Sequence, residues 1–318
     1  MSDPTQHVLV TGGAGFIGSH TVDHLLALGN AVTVLDDLST GRRDNLAAHA
    51  ADPRFRLVVG DVTAPPAALE LAVAALGPVT GVLHLAAQVS VQRSIADPCM
   101  DMHTNLGGTY TMLAWARAHG ARRFVLASSA AVYGDGALPA TEGAPCEPLS
   151  PYGVHKLAAE RHLANEPRID TASCRFFNVF GPRQVPGSEY AGVIAIFLER
   201  ALRGAPIGIH GDGSSTRDFV YVGDVARSLV TVLFAPGRLG GSALNVGTGR
   251  EITILDLATT ARAVTGSASA IVHGPPRAGD IARSVASIGP LSALGWAPAV
   301  SLADGLAETA RWLAGQGA

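Results

Sequence analysis

Short apolar runs rich in branched residues alternate with longer stretches of helical periodicity through the first half of the chain. Residues 8–10, 31–35, 56–59, 82–86, 124–128 and 171–176 are apolar almost throughout, the pattern of strands buried on both faces. Between them, residues 16–28, 65–76, 98–119 and 151–165 carry helix-compatible patterns, several opening on proline. Proline suits a first helical turn, where its missing N–H would have no partner anyway. Buried strands separated by helices predict an α/β fold built on a doubly wound parallel sheet. After about residue 175 the texture changes to Gly- and Pro-punctuated loops, with helical patterns at 190–203, 223–234, 255–264 and 301–313. The expected division is a sheet domain, 1–174, and a smaller C-terminal α/β domain, 175–318, with segments that return to the first.

Composition narrows the partners. The 318 residues are 47% hydrophobic and 15% charged, with a formal net charge of −3, which excludes a disordered chain. Near-neutrality also argues against nucleic acid as a partner, since neutralising phosphates needs a basic surface. Small molecules move up the list. Cys99, Cys146 and Cys174 are odd in number and far apart, so they predict free thiols rather than a disulfide framework or a zinc site. The eleven histidines show no metal-ligand spacing, and no metal is expected. Residues 71–92 lack formal charges over more than a membrane span, but Gly77, Pro78, His84 and Gln88 interrupt them, so no membrane association is expected. The polar residues 1–6 run straight into a strand pattern without a signal peptide, which points to the cytoplasm.

The first strand leads into Thr11-Gly12-Gly13-Ala14-Gly15-Phe16-Ile17-Gly18, and a helix follows. Gly12, Gly15 and Gly18 let the chain turn tightly, let backbone approach a pyrophosphate and let helix pack on strand. The amides of the first turn, at Phe16 and Ile17, point a positive dipole end at the same place. This is the Rossmann fingerprint of dinucleotide binding. The second strand ends at Asp36-Asp37, where a carboxylate would accept from both adenosine ribose hydroxyls and repel a 2′-phosphate, favouring NAD over NADP. Arg42 and Arg43 lie nearby and read as solvated surface charges. Asp61-Val62 could hydrogen-bond the adenine, and Leu85-Ala86-Ala87 closes the fourth strand, where the small residues let the backbone approach the cofactor.

Tyr152 and Lys156 stand four apart on a predicted helix and so share one face. A neighbouring ammonium and a positive nicotinamide ring would lower the phenol from its usual value near 10 and make it a general base. Ser128-Ser129, closing the preceding strand, supplies a hydroxyl at the same sheet edge. His155, between the two, reads as surface or packing rather than a proton shuttle. Arg217 with Asp218, and Arg277 with Asp280, could each be a structural ion pair or part of a phosphate site.

The segments TGGAGFIGSH, DDLSTG, GDV, HLAA, SSAAVYG, YGVHK, RFFNVFGPRQ, GDGSSTRDFVYVGDVA, NVGTG and RAGDIARS occur in this order. With them the chain resembles an extended short-chain dehydrogenase/reductase, and within that superfamily the NAD-dependent UDP-sugar 4-epimerases, over essentially its whole length. The resemblance implies Ser129, Tyr152 and Lys156 as the catalytic group and Asn105 as a residue on the cofactor side of the active site. It implies Asn178, Val193, Arg217, Arg277 and Asp280 as contacts to a UDP-sugar in the substrate half, and a homodimer paired through the helices at 98–119 and 151–165. The implied reaction inverts the sugar's 4-carbon through a transient 4-keto intermediate.

Three positions depart from related enzymes. Sugar-nucleotide dehydratases and decarboxylases resemble TDEVYG or TSEVYG after the catalytic hydroxyl, whereas this chain reads Ser129-Ala130-Ala131-Val132-Tyr133-Gly134. Alanine transfers no proton, which argues against dehydration and decarboxylation. Bacterial-type galactose epimerases resemble HFAGLKAV, with Lys where this chain has Val89. In the RAGDIARS segment many relatives resemble one another in a bulky Tyr where this chain has Ser284, leaving room for an N-acetyl group at the sugar's 2-position. The expected function is therefore a UDP-glucose/UDP-galactose 4-epimerase that also accepts N-acetylhexosamines. A UDP-glucuronate 4-epimerase and a dTDP-sugar substrate stay open as alternatives. A non-catalytic NAD-binding regulator would have lost the Tyr or the Lys, and both are here.

Overall fold

The computed structural model describes residues 6–136, 138–184, 192–276 and 282–316. In chain order the strands of the first half are β1 (His7–Thr11), β2 (Ala31–Asp36), β3 (Phe55–Val59), β4 (Gly81–His84), β5 (Arg123–Ser129) and β6 (Asp170–Phe176). Those of the second half are β7 (Asn178–Phe180), β8 (Ile207–His210), β9 (Thr216–Arg217), β10 (Phe219–Tyr221), β11 (Ser242–Val246), β12 (Ile252–Thr253) and β13 (Ile271–Gly274). The helices are α1 (Phe16–Ala27), α2 (Ala67–Leu76), α3 (Val91–Ala96), α4 (Pro98–Met102), α5 (Gly108–Ala118) and α6 (Pro151–Ala164), then α7 (Val193–Leu202), α8 (Val222–Phe234), α9 (Ile254–Val264), α10 (Gly289–Ala293) and α11 (Leu302–Gly315).

Seven strands form one sheet in the order β11-β6-β5-β4-β1-β2-β3, and every pair in it is parallel. Alternation along each strand sends side chains to opposite faces. Val8 and Val10 thus join one apolar cluster with Val22 of α1 and Leu229 of α8. Leu9 joins the other, with Leu69 of α2, Leu113 of α5 and Leu163 of α6. A third cluster, with Phe197, Leu257 and Leu306, holds α7, α9 and α11 together. Among the described residues no helix is long and apolar enough to cross a membrane.

Several differences from the sequence reading have plain causes. The boundary expected at residue 174 falls inside β6, which ends at Phe176, while β11 and α8 are segments of the second half that pack with the sheet. β4 stops at His84 rather than residue 86, because Ala86 N–H turns to the Thr11 hydroxyl at 3.2 Å. The single helix expected over 98–119 is broken by a π turn at His103–Gly107, which periodicity does not reveal because the chain stays helical on either side. The short pairs β7 with β10 and β9 with β12 have no run of residues long enough to show a period.

Strand order reverses between β2 and β4 on either side of β1, so the sheet opens a crevice at the carboxyl ends of β1 and β4. The register sets Thr11 opposite both Leu35 and His84, bringing the glycine loop, the end of β2 and the loop after β4 to one edge.

Candidate active site

The glycine loop is shaped by close approach. Gly12 has φ +67°, and a Cβ there would lie 2.6 Å from Ala86 N; one at Gly18 would lie 2.1 Å from Gly12 O. Only glycine lets β1, the loop after β4 and α1 meet at these distances. Gly15 caps α1 without a side-chain bond, so the first-turn amides at Phe16, Ile17 and Gly18 are those that have no acceptor within a helix. Bare backbone, a helix N-terminus and small residues at 86 and 87 fit a dinucleotide pyrophosphate.

Asp36 braces this loop. Its Oδ2 accepts from Ala14 N at 2.9 Å and its Oδ1 from Leu38 N at 2.8 Å. Burial raises its pKa against the pull of those two amides. A carboxylate has about four acceptor positions, so acceptors remain for ribose hydroxyls. Leu38 pays for the tight turn with a positive φ of 61°. Asp37 is exposed and closes its own turn on Ser39 N at 2.9 Å. Asp61 likewise closes a turn on Thr63 N at 2.7 Å, while Val62 is buried and lies where a Cβ on Gly108 would strike it. Leu85 N donates to Thr11 O at 3.1 Å, fixing the backbone ahead of Ala86 and Ala87.

Tyr152 and Lys156 lie on α6, which Ser150 caps by accepting from Gly153 N at 3.2 Å. A Cβ on Gly153 would meet Ala131 O at 2.7 Å, so glycine between the two residues lets the helix sit against the turn that follows Ser129. Lys156 Nζ donates to Ala127 O at 2.9 Å and lies 5.9 Å from the Tyr152 ring centroid. The Ser129 hydroxyl lies close enough to the Tyr152 phenol to lower its pKa and accepts from Ala131 N at 3.2 Å. Ser128 is committed elsewhere, to the buried Glu160 carboxylate that Arg175 holds. Ser129 is thus the hydroxyl at the site.

Burial dominates the electrostatics of this group. Burial pushes the Tyr152 phenol up to about 12; the Ser129 hydrogen bond pulls it down and Asp101 pushes it further up. Burial also brings Lys156 down to about 8, against Asp101 and Glu160. Without the cofactor, burial is the largest influence on the phenol. The positive nicotinamide is the further cation that the sequence reading invoked.

Asn105 sits in the π turn with both amide protons spent, on Gln88 O and Asp101 Oδ1 at 2.9 Å each, and its Oδ1 accepts from Gln88 N at 2.9 Å. These bonds tie the loop after β4 to the π turn. His84 at the same edge is wholly buried. Its Nδ1 bonds Thr11 Oγ1 at 2.8 Å, Nε2 has no partner among the described residues, and burial followed by Lys156 takes its pKa down to about 3.

On the substrate side, Asn178 and Arg217 are half-buried on neighbouring short strands. Asn178 Nδ2 donates to Asp218 O at 3.1 Å, and Arg217 donates to Thr216 O at 2.8 Å. Asp218 does not need Arg217 as its partner. Its carboxylate accepts from Thr248 N, Gly249 N and Ala286 N at 2.7, 2.9 and 3.1 Å, which ties down the NVGTG loop. Ser284 N donates to Thr216 O at 3.1 Å, placing Ser284 alongside the strand that carries Arg217. Val193, half-buried, opens α7. Arg277 and Asp280 lie outside the described residues. Sequence reasoning missed Asp36 as a brace and the buried partners Gln88 and Asp101. For Asp36 the signal is its place below a glycine loop, whereas Gln88 and His155 reach Asp101 from 13 and 54 residues away, too far to leave a local signal.

Residues 8–247 match the NAD dependent epimerase/dehydratase family. A UDP-glucose 4-epimerase of Mycolicibacterium smegmatis is 42% identical over 95% of this chain and 96% of its own. A UDP-N-acetylglucosamine 4-epimerase from Methanobrevibacter ruminantium, solved in complex with UDP-N-acetylmuramic acid, superposes with a TM-score of 0.91 at 32% identity, covering 99% of this chain and 100% of that one. The Thermus thermophilus UDP-glucose 4-epimerase, solved with NAD, gives a TM-score of 0.85 at 39% identity over 98% of this chain and 99% of that one. A glycine cradle for a dinucleotide, a Ser–Tyr–Lys group beside it and agreement over the whole chain lead to one conclusion: this protein belongs to the NAD dependent epimerase/dehydratase family, is built like its UDP-sugar 4-epimerases, and uses NAD.

Proposed function

We propose that the protein inverts the 4-carbon of UDP-glucose and UDP-galactose, and of the corresponding N-acetylhexosamines, through a 4-keto intermediate. The observation that carries this reading is the pairing of Ser129 with Tyr152 over a turn whose next residues, Ala130 and Ala131, can transfer no proton. Bound NAD supplies a reversible hydride acceptor at the sugar's 4-carbon. Tyr152 takes the proton of the 4-hydroxyl and returns it, and Ser129 donates to the oxygen as it becomes a ketone. Lys156, anchored on Ala127 O, keeps positive charge beside the phenol. Arg217 supports a diphosphate contact, since guanidinium suits phosphate oxygens. Asp36 and the first-turn amides of α1 serve the cofactor's ribose and pyrophosphate.

Ser284 supports the wider substrate range, because a small side chain beside the Arg217 strand leaves space where a tyrosine would fill it. Met102, Tyr110 and Val154 are 49%, 42% and 47% exposed on α4, α5 and α6, which supports a homodimer through these helices; sedimentation at the mass of one chain would count against it. The function is tested by incubating purified protein with UDP-glucose, UDP-galactose, both UDP-N-acetylhexosamines and UDP-glucuronate, and following epimer ratios by NMR. Equilibration of the first four is expected. Action on the glucuronate alone would replace this reading with the uronate one.

A further inference from the structure

A chain of hydrogen bonds joins α6 to the loop after β4, and neither end of it is a group that exchanges protons or hydride with substrate. His155 Nδ1 donates to Asp101 Oδ2 at 2.6 Å, with the Asp101 side chain fully buried and His155 14% exposed. The other carboxylate oxygen, Oδ1, accepts from Gln88 Nε2 at 2.7 Å and Asn105 Nδ2 at 2.9 Å. Asn105 in turn clasps the backbone of Gln88 on both sides, and Gln88 Nε2 also reaches Ser90 O at 2.9 Å. Two residues before Gln88, Ala86 N lies against Gly12. The side chains thus span from the helix of Tyr152 and Lys156 to the floor of the cofactor cradle.

The π turn makes this geometry. It lies between Asp101 and α5, and an inserted residue of this kind re-aims the side chains around it, as π-bulges at functional sites commonly do. A carboxylate with no exposure is held only when its acceptors are filled. Here donors come from three places, α6, the loop after β4 and the π turn, which makes Asp101 a joint between them. His155 stands one residue before Lys156 and three after Tyr152, so it fixes the rotation of α6 about its own axis. A rotation of ~10° at roughly 6 Å from that axis moves a side chain by about 1 Å, and displacement on that scale is costly for a reacting group.

We propose that His155 and Asp101 are a positioning pair that locks the rotation of the Tyr152–Lys156 helix to the loop 85–90 on the cofactor side. This rests on the proposed epimerase reaction only for its activity readout. The pair accounts for a buried Asp and a His that the reaction leaves unused, and for the commitment of Asn105 to the same network.

The test compares His155→Asn, which keeps a donor near the Nδ1 position, with His155→Leu, which fills the space without one. In NAD-loaded protein, hydrogen exchange at residues 86–90 is expected to speed up at least about fivefold in H155L and to stay near the parent rate in H155N. With UDP-galactose, H155L is expected to lose about tenfold in kcat with KM within about twofold, while H155N stays within about threefold of the parent kcat. Equal exchange in the two variants overturns the link, as does an H155L kcat equal to that of H155N. A rise in KM and a fall in melting temperature that account for the H155L loss would make the pair merely structural and also overturn it. If the parent chain turns over none of the UDP-sugars, the epimerase reading fails, and the exchange comparison still decides the pair.

Discussion

The cofactor side and the substrate side of the crevice are made from different materials. Around the dinucleotide, backbone does the work: Gly12 and Gly18 sit where any Cβ would strike main chain at 2.6 and 2.1 Å, and Asp36 spends two acceptors on the loop's own amides. On the proposed substrate side, side chains stand on or beside two- and three-residue strands: Asn178 on β7, Arg217 on β9, and Ser284 next to β9 through its amide. A site built from backbone admits almost no substitution, whereas one built from side chains can change preference without disturbing the sheet. The lesson is that cofactor identity is tied to the fold and substrate identity is not.

The seam between the two sides should give the largest effect. Tyr152→Phe is expected to cut turnover by several orders of magnitude, since the proton acceptor is lost, while NAD content of the purified protein stays unchanged. Loss of NAD together with activity would mean that the phenol serves the cofactor instead. Next comes the substrate side. Ser284→Tyr should abolish turnover of the UDP-N-acetylhexosamines and leave the simple hexoses within about threefold, and equal loss on both would remove Ser284 from the specificity argument. On the cofactor side, Gly12→Ala must hold a side chain at φ +67° against Ala86. Strain on the order of 1–3 kcal/mol predicts NAD binding weaker by roughly 5- to 150-fold by calorimetry, with the substrate preference of the residual activity unchanged.

The smallest effect is a pH dependence of stability. Burial takes Lys156 down to about 8 in the folded chain, while an unfolded lysine titrates near 10.4. Between those values the unfolded state holds the extra proton, so raising the pH favours the folded state there. Lys156→Met removes this group. The stability of the parent chain relative to K156M should therefore rise from pH 8 to pH 10 in urea titrations, and a flat difference would mean that Lys156 is not depressed.

What the sequence made legible follows the same division. The first six strands and the glycine turn could be read because each carries its signal within a few consecutive residues: unbroken apolar runs and fixed glycine spacing. Tyr152 and Lys156 share one helix turn and were equally visible. Asp101 with His155 was not, because 54 residues separate partners that only the folded chain brings to 2.6 Å. The burial of Tyr152 was hidden for a related reason. Neighbouring charge can be read from spacing, but burial comes from packing. On the substrate side, β9 and β12 exist only because they pair with one another, so a reading of local pattern finds nothing there.

The central claim is that the 4-carbon is oxidised and reduced within one site, with Tyr152 carrying only the proton. The most direct measurement uses UDP-glucose deuterated at carbon 4 in ordinary water, with the UDP-galactose formed read by NMR and mass spectrometry. Full retention of deuterium at carbon 4 is the expected result. Exchange of that deuterium for solvent hydrogen would contradict the account, because inversion would then proceed by proton abstraction from carbon.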